Sequence, residues 1–206
     1  MMHPAPFALI VAMWIVMMAG MMLPSAAPTV LLYGSMVRKN AERGTALPSV
    51  WIFVSGYVLV WAAFGFAAAL VQAALERAGL LTPMMELASP RLTGALLVAA
   101  GLYQWTPLKD ACLAKCRAPV QFLMTHWKAG RPGALRMGIS HGLYCVGCCW
   151  ALMLLLFAVG VMNLVWVALI AAFVFVEKLL PAGRLTGRFA GAALIVVGVG
   201  YAVALP

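Results

Sequence analysis

Long apolar runs, broken by charge at only a few places, constrain this chain more than any other feature. The residues A, V, I, L, M, F, W, Y and C make up 66% of its 206 residues, and D, E, K and R make up 9%. Soluble domains carry about 25% charged residues, so these side chains cannot cover a water-facing surface. A helix of about 20 apolar residues crosses a bilayer. The sequence therefore predicts an all-α fold, a polytopic membrane helix bundle of about six transmembrane helices.

Six apolar runs define these helices within one integral membrane domain, residues 1–206. They are Phe7 to at least Leu23, Pro48 to Val71, Leu92 to Leu108, Ala134 to Val159, Val161 to Leu180, and Phe189 to Leu205. Pro24 and Pro28 precede a further apolar run to Val37, so the first helix is either long and kinked or broken there. Residues 38–44 and 181–188 are expected to be loops. A basic connector, about residues 109–133, carries a C-x3-C motif and is expected to be an interfacial helix.

Charge orients the predicted bundle. The net charge is +9. With six spans, the loops and helix ends on one side of the membrane carry all of the Lys and Arg residues except Arg77 and Arg91, which lie on the other side. The positive-inside rule then makes the connector cytoplasmic and leaves both termini outside the cytoplasm, which fits a bacterial inner membrane. The basic residues are scattered and not clustered on one polar face, so nucleic acid is not an expected partner.

The fourth span contains the sharpest candidate for a chemical site. His141, Cys145 and Cys149 recur every four residues, so they share one face of a helix, and Cys148 lies beside Cys149. Thiolates and imidazole together suit copper(I), zinc or iron–sulfur chemistry. Cysteine also packs as a small hydrophobe in apolar helices. Three cysteines within five residues, one turn from a histidine, favour a metal site.

The connector adds a second pair of thiols, Cys112 and Cys116. On a helix they would lie one turn apart, and nearby Lys109, Lys115 and Arg117 would favour the thiolate that binds metal. A disulfide is the alternative, although cytoplasmic thiols are kept reduced.

Methionines form a stripe along the first span. Met13, Met17 and Met21 repeat every four residues, with Met18 and Met22 parallel to them. Thioethers bind copper(I) without deprotonation, and this spacing resembles that of copper-transporting membrane helices. Methionine is also a common filler of gaps in apolar cores. Both interpretations stay open.

Glu177, with Lys178, ends the fifth span. An ionisable residue at membrane depth faces the bundle interior or an aqueous cavity. Glu177 is therefore a candidate metal ligand, proton carrier or ion-pair partner, whereas Lys178 can extend to the membrane surface.

Several of these residues also carry a family resemblance. They are Trp14 with Met17 to Pro24, Gly56-Tyr57 with Trp61, Gly101 to Lys109, Cys112, Cys116, Arg117 and Pro119, Cys145 to Trp150, and Glu177-Lys178 with Pro181. Over nearly its whole length the chain resembles a bacterial family of predicted metal-binding integral membrane proteins, a domain of unknown function. The resemblance implies metal binding and names no reaction.

Together these features predict a membrane-embedded metal-binding protein. Copper is the expected metal, with zinc as the alternative, and the role is transport, delivery or storage through Cys, His and Met ligands. Its expected partners are the lipid bilayer, the metal ion, and a metallochaperone or a partner membrane subunit. A membrane metalloenzyme or electron-transfer subunit using the same site is the first alternative, and a membrane thiol–disulfide protein is the second. Whether the protein is an enzyme stays open.

Overall fold

The computed structural model describes residues 6–43 and 47–204. In these ranges the secondary-structure elements are helices, with no β-strand beyond one isolated bridge between Leu81 and Leu87. The helices are α1 Phe7–Glu42, α2 Val50–Arg77, α3 Pro90–Tyr103, α4 Pro107–Arg117, α5 Pro119–His126, α6 Gly130–Leu154, α7 Leu156–Val159, α8 Leu164–Leu179 and α9 Gly183–Ala204. The all-α prediction is confirmed. The basic connector is helical as well, as α4 and α5.

Four helical segments are long and apolar enough to cross a membrane, by length and composition. They are Phe7–Glu42, Val50–Arg77, Gly130–Val159 and Gly183–Val203. The third and fifth predicted spans form the shorter helices α3, of 14 residues, and α8, of 16 residues. At about 1.5 Å per residue, neither helix alone reaches across the roughly 30 Å of a hydrocarbon core. Helix lengths therefore support four of the six predicted spans.

Helix α1 is one helix of 36 residues, so of the two alternatives for the first span the long helix is confirmed, and the loop predicted from residue 38 is wrong as far as Glu42. Pro24 and Pro28 lie inside it, as proline does in apolar helices whose surroundings compensate for the lost N–H. The helix then continues through Lys39 to Glu42, and the Asn40 side chain donates a hydrogen bond to the Met36 carbonyl, 2.9 Å away. The predicted loop at 181–188 is also mostly helical, since α9 begins at Gly183.

The chain forms two compact units. Unit 1 comprises the residues up to Ala69 together with Cys112–Gly147, and unit 2 comprises Leu70–Ala111 together with the chain from Cys148 onward. In unit 1, helices α1, α2, α5 and α6 contribute to one cluster of buried residues, Tyr33, Phe53, Phe122, Leu123, Ala134 and Met137. Helix α6 therefore contributes its first part to unit 1.

Helices α2 and α6 approach each other closely at two glycines in unit 1. A Cβ atom added at Gly138 would overlap the Phe53 carbonyl oxygen and lie 3.2 Å from the Gly56 Cα atom. A Cβ atom added at Gly56 would in turn overlap the Leu135 carbonyl oxygen. The two backbones are in contact here, so neither position has room for a side chain.

In unit 2, α3 packs along α9, and α8 packs on α9 and α7. The Asn163 side chain caps α8 by accepting a hydrogen bond from the Val165 N–H. The loop before α3 is fixed to α7 by a 2.8 Å hydrogen bond from the Leu87 N–H to the Phe157 carbonyl. Unit 2 thus has its own packed helices and its own loop anchors.

The α2–α6 contact predicts a large penalty for the smallest added side chain. Gly138→Ala should lower the free energy of unfolding by about 1–3 kcal/mol, because the Cβ atom overpacks against backbone. Thermal unfolding in detergent measures the change. Gly20→Ala is the matched control, since nothing lies within 4 Å of a Cβ atom there and alanine favours a helix by up to about 1 kcal/mol. Equal stability of the two variants would contradict the contact.

Candidate functional site

His141 and Cys145 lie on the same buried face of α6 in unit 1, as the helical spacing predicts. Their exposed fractions are 2% and 1%. The Cys145 Sγ atom is 3.1 Å from the Tyr57 hydroxyl on α2. The same hydroxyl donates to the Met22 carbonyl of α1, 2.9 Å away. Tyr57 therefore joins α1, α2 and α6 at the cysteine, a contact that the spacing of motifs could not reveal.

Aromatic rings surround the His141 imidazole. Its ring centroid lies 5.0 Å from that of Phe122, 5.7 Å from that of Tyr57 and 6.1 Å from that of Phe53. The imidazole thus lies in an apolar environment with one thiol-bearing residue, Cys145, one turn further along its helix. Such surroundings exclude water from the donor atoms, which strengthens their interaction with a bound cation.

The connector brings a second thiol to α6. A Cβ atom added at Gly147 would lie 2.7 Å from the Cys112 Sγ atom, so the thiol occupies the space that a side chain would need. Gly147 is two residues after Cys145 on the same helix. Cys112 and Cys116 both lie on α4 and are half-buried, which confirms the helical geometry expected for this pair. The glycine therefore lets a cysteine of α4 pack directly against α6.

The methionines of α1 divide between two faces. Met18, Met21 and Met22 are buried, together with Trp14, whereas Met13 and Met17 are half-buried. The predicted stripe of Met13, Met17 and Met21 therefore lies beside the most buried face. Of the thioethers named from the sequence, those of Met18 and Met22 are wholly within the core.

The remaining predicted ligands lie in unit 2. Cys148 and Cys149 are buried on the last part of α6, and Glu177 is buried near the end of α8. Within residues 6–43 and 47–204, no three side chains of His, Cys, Asp or Glu lie close enough together to hold a metal ion. Methionine sulfur is outside that set of donors. The described helices thus do not gather three of these predicted ligands at one point.

Glu177 is held by Lys109, which sequence reasoning associated with the connector cysteines and not with Glu177. The Lys109 Nζ atom lies 2.5 Å from Glu177 Oε1, and their side chains are 2% and 1% exposed. Lys109 also donates to the Gln104 Oε1 atom. The Glu177 Oε2 and Gln104 Nε2 atoms have no hydrogen-bond partner in the described part of the chain. Of the three roles expected for Glu177, the geometry supports the ion pair.

Comparison with known proteins gives one match. A family model named PpoB2, with the description copper chaperone, matches residues 11–201. The match covers α2 to α8, and nearly all of α1 and α9. No curated protein and no solved structure matches the chain.

The buried ion pair predicts a strong, non-additive effect of removing one charge. Lys109→Met should lower the free energy of unfolding by about 3–5 kcal/mol, because it leaves the Glu177 carboxylate buried without its counter-ion. Lys109→Met with Glu177→Leu should recover most of this loss, since it removes both charges. Denaturation in detergent measures both values. Lys128→Met, at an exposed position, is the control, and additive single-variant losses would contradict the pairing.

The contact between α4 and α6 predicts a change in cysteine reactivity. Gly147→Ala should speed maleimide labelling of Cys112, because the added Cβ atom forces the Sγ atom away from α6. Mass spectrometry of the labelled peptides measures the rate at Cys112 alone. Gly34→Ala is the control, since the nearest atom to its Cβ would be 3.8 Å away. An unchanged Cys112 rate in Gly147→Ala would show that the thiol lies elsewhere.

Proposed function

Because the chain belongs to the PpoB2 copper chaperone family, we propose that it binds copper(I) as cargo inside a membrane and delivers it to a partner. A copper-handling role follows from the family. The observation that carries the more specific proposal is the buried pair of His141 and Cys145, one turn apart on one face of α6 in unit 1. Cys112 packs against α6 at Gly147, and residues two apart on a helix do not share a face, so its thiol is not placed beside that of Cys145.

The proposed ligands of the cargo are Cys145 and His141, with the buried thioethers of Met18 and Met22 on α1 as further candidates. Thiolate, thioether and imidazole are the soft donors that select copper(I). Zinc is less well matched, because structural zinc sites use a closed tetrahedral set of ligands. Copper(I) is stable with a low coordination number, which suits a pair of ligands that must release their metal. Cys112, Cys116, Cys148, Cys149, Met17, Met21 and Glu177 stay predicted ligands.

A membrane location is part of the proposal. Four segments have the length and composition of spanning helices, and many of their large apolar side chains are exposed, among them Val16, Leu31, Trp51 and Val196. A surface of this kind is stable against lipid and costly in water. With all six predicted spans in the membrane, the basic residues favour a cytoplasmic connector, with both termini outside. In that orientation Cys112 and Cys116 lie on the side where a soluble partner can reach them.

A chaperone needs ligands that hold copper(I) and also give it up. The thiol of Cys145 is buried beside the Tyr57 hydroxyl, whereas Cys112 is half-buried at the connector. Cys145 therefore offers a donor inside the core, and Cys112 offers one nearer the surface that a partner can reach. Exchange of ligands one at a time between such donors avoids a bare ion. Delivery fits this arrangement better than storage does.

The proposed ligands predict the copper affinity of variants at both positions. Cys145→Ser and His141→Gln should each weaken copper(I) binding by more than the roughly 10- to 100-fold that loss of an outer-shell partner costs. Titration against a chromogenic copper(I) chelator, under reducing conditions in detergent, measures the affinity. Met124→Leu is the control, because Met124 is 74% exposed on α5. Wild-type affinity in both ligand variants would exclude this pair of ligands.

A further inference from the structure

Two arginines near the start of α9 converge on one carboxylate in unit 2. The Arg184 Nε atom lies 3.9 Å from Asp110 Oδ1, and the Arg188 Nη2 atom lies 3.4 Å from Asp110 Oδ2. The arginine side chains are 57% and 58% exposed. Because the two oxygens of a carboxylate are close together, the two guanidinium groups that face them are also close together, at the surface.

This cluster carries more positive than negative charge. Arginine stays protonated in proteins, so two guanidinium groups face a single carboxylate and leave an excess of one positive charge. The start of α9 at Gly183 adds the partial positive charge of a helix N-terminus. The sequence of its first turn, Gly183 to Thr186, contains no acidic residue. Arginines at this end of a helix are unfavourable unless an anion offsets them.

The contacts with Asp110 leave most of the guanidinium donors available. Each guanidinium group has five N–H bonds in a planar fork, and Asp110 is contacted by one nitrogen of each arginine. Charge-assisted N–H···O bonds are commonly about 2.7–2.9 Å long, so both contacts are long. Asp110 therefore keeps the two arginines together without saturating them. Phosphate is an anion that such a fork binds well, through two parallel hydrogen bonds.

An apolar groove of about 440 Å³ lies beside Arg188. Its other lining residues are Trp105, Leu185, Phe189 and Ala192. The Trp105 indole N–H donates to the Arg188 carbonyl, 3.0 Å away, and this bond holds the indole against α9. Phe189 and Leu185 are 68% and 55% exposed. A ligand that fits both parts of this surface has a phosphate at one end and a hydrocarbon chain at the other.

We infer that Arg184 and Arg188 bind the phosphate of an anionic phospholipid, with an acyl chain in the groove beside Trp105. The inference rests on the proposed membrane location and is independent of copper. Basic pockets beside membrane helices bind anionic headgroups, and tryptophan is enriched at the membrane–water interface. A lipid with one net negative charge matches the excess positive charge of the cluster. A choline headgroup adds a cation and matches it less well.

Competition between two lipids tests the inference. Native mass spectrometry of delipidated protein in detergent, with phosphatidylglycerol and phosphatidylcholine of equal chain length, should show preferential binding of phosphatidylglycerol. Arg184→Gln with Arg188→Gln should weaken that binding by about 25-fold, which is about fivefold for each basic residue. Arg77→Gln with Arg91→Gln is the matched control, because it removes the same charge from two exposed positions of unit 2.

Asp110→Asn gives a test in the opposite direction. It removes the carboxylate that competes with phosphate for the two guanidinium groups, so it should strengthen phosphatidylglycerol binding by about fivefold. Loss of the folded structure cannot produce such an increase, and this variant therefore covers the case in which the double arginine variant does not fold. Unchanged or weaker binding in Asp110→Asn would overturn the inference.

The outcomes separate this inference from the proposed membrane location. If alkaline carbonate releases the wild-type protein from cell membranes, the membrane location fails and the inference fails with it. If the protein stays in the membrane but binds both lipids alike, only the inference fails. It also fails if the control variant loses as much binding as Arg184→Gln with Arg188→Gln. Displacement of phosphatidylglycerol by an equal concentration of inorganic phosphate would indicate a site for free phosphate and would overturn the lipid assignment.

Discussion

The contact between the backbones of α2 and α6 is the constraint on which the rest of unit 1 depends. Gly56 and Gly138 allow it, since a Cβ atom at either position would overlap the other helix. Tyr57 follows Gly56 and is thereby brought to the face of α6 that carries Cys145, 3.1 Å from its thiol. At a wider helix separation the phenol could not reach the sulfur. The close packing therefore sets the environment of the thiol.

Much of the fold could be predicted because apolar periodicity and length are local properties. Runs of apolar residues gave the positions of the long helices, and the four-residue spacing of His141 and Cys145 placed them correctly on one buried face. The helical connector was also predictable from its composition. The end of α1 was not, because Lys39 and its polar neighbours are compatible with both a loop and a helix, and only the surrounding structure decides between them.

The contacts that bring distant segments together could not be predicted. Nothing in the sequence near Cys112 indicates that its thiol packs on Gly147, because such a contact depends on how helices are arranged. The buried face of α1 could not be predicted either. Met17 and Met18 belong to two parallel rows with the same spacing, so periodicity could not choose the more buried row. The pairing of Glu177 with Lys109 could not be predicted either, because it depends on how the helices are arranged.

The salt bridge between Lys109 and Glu177 has a consequence for the order of assembly during translation. The two residues are 68 positions apart, so Lys109 leaves the ribosome well before its counter-ion exists. A lone ammonium group is costly in an apolar interior, and it stays hydrated until α8 has been synthesised. The N-terminal turn of α4 can therefore dock in unit 2 only late, after most of the polypeptide has emerged.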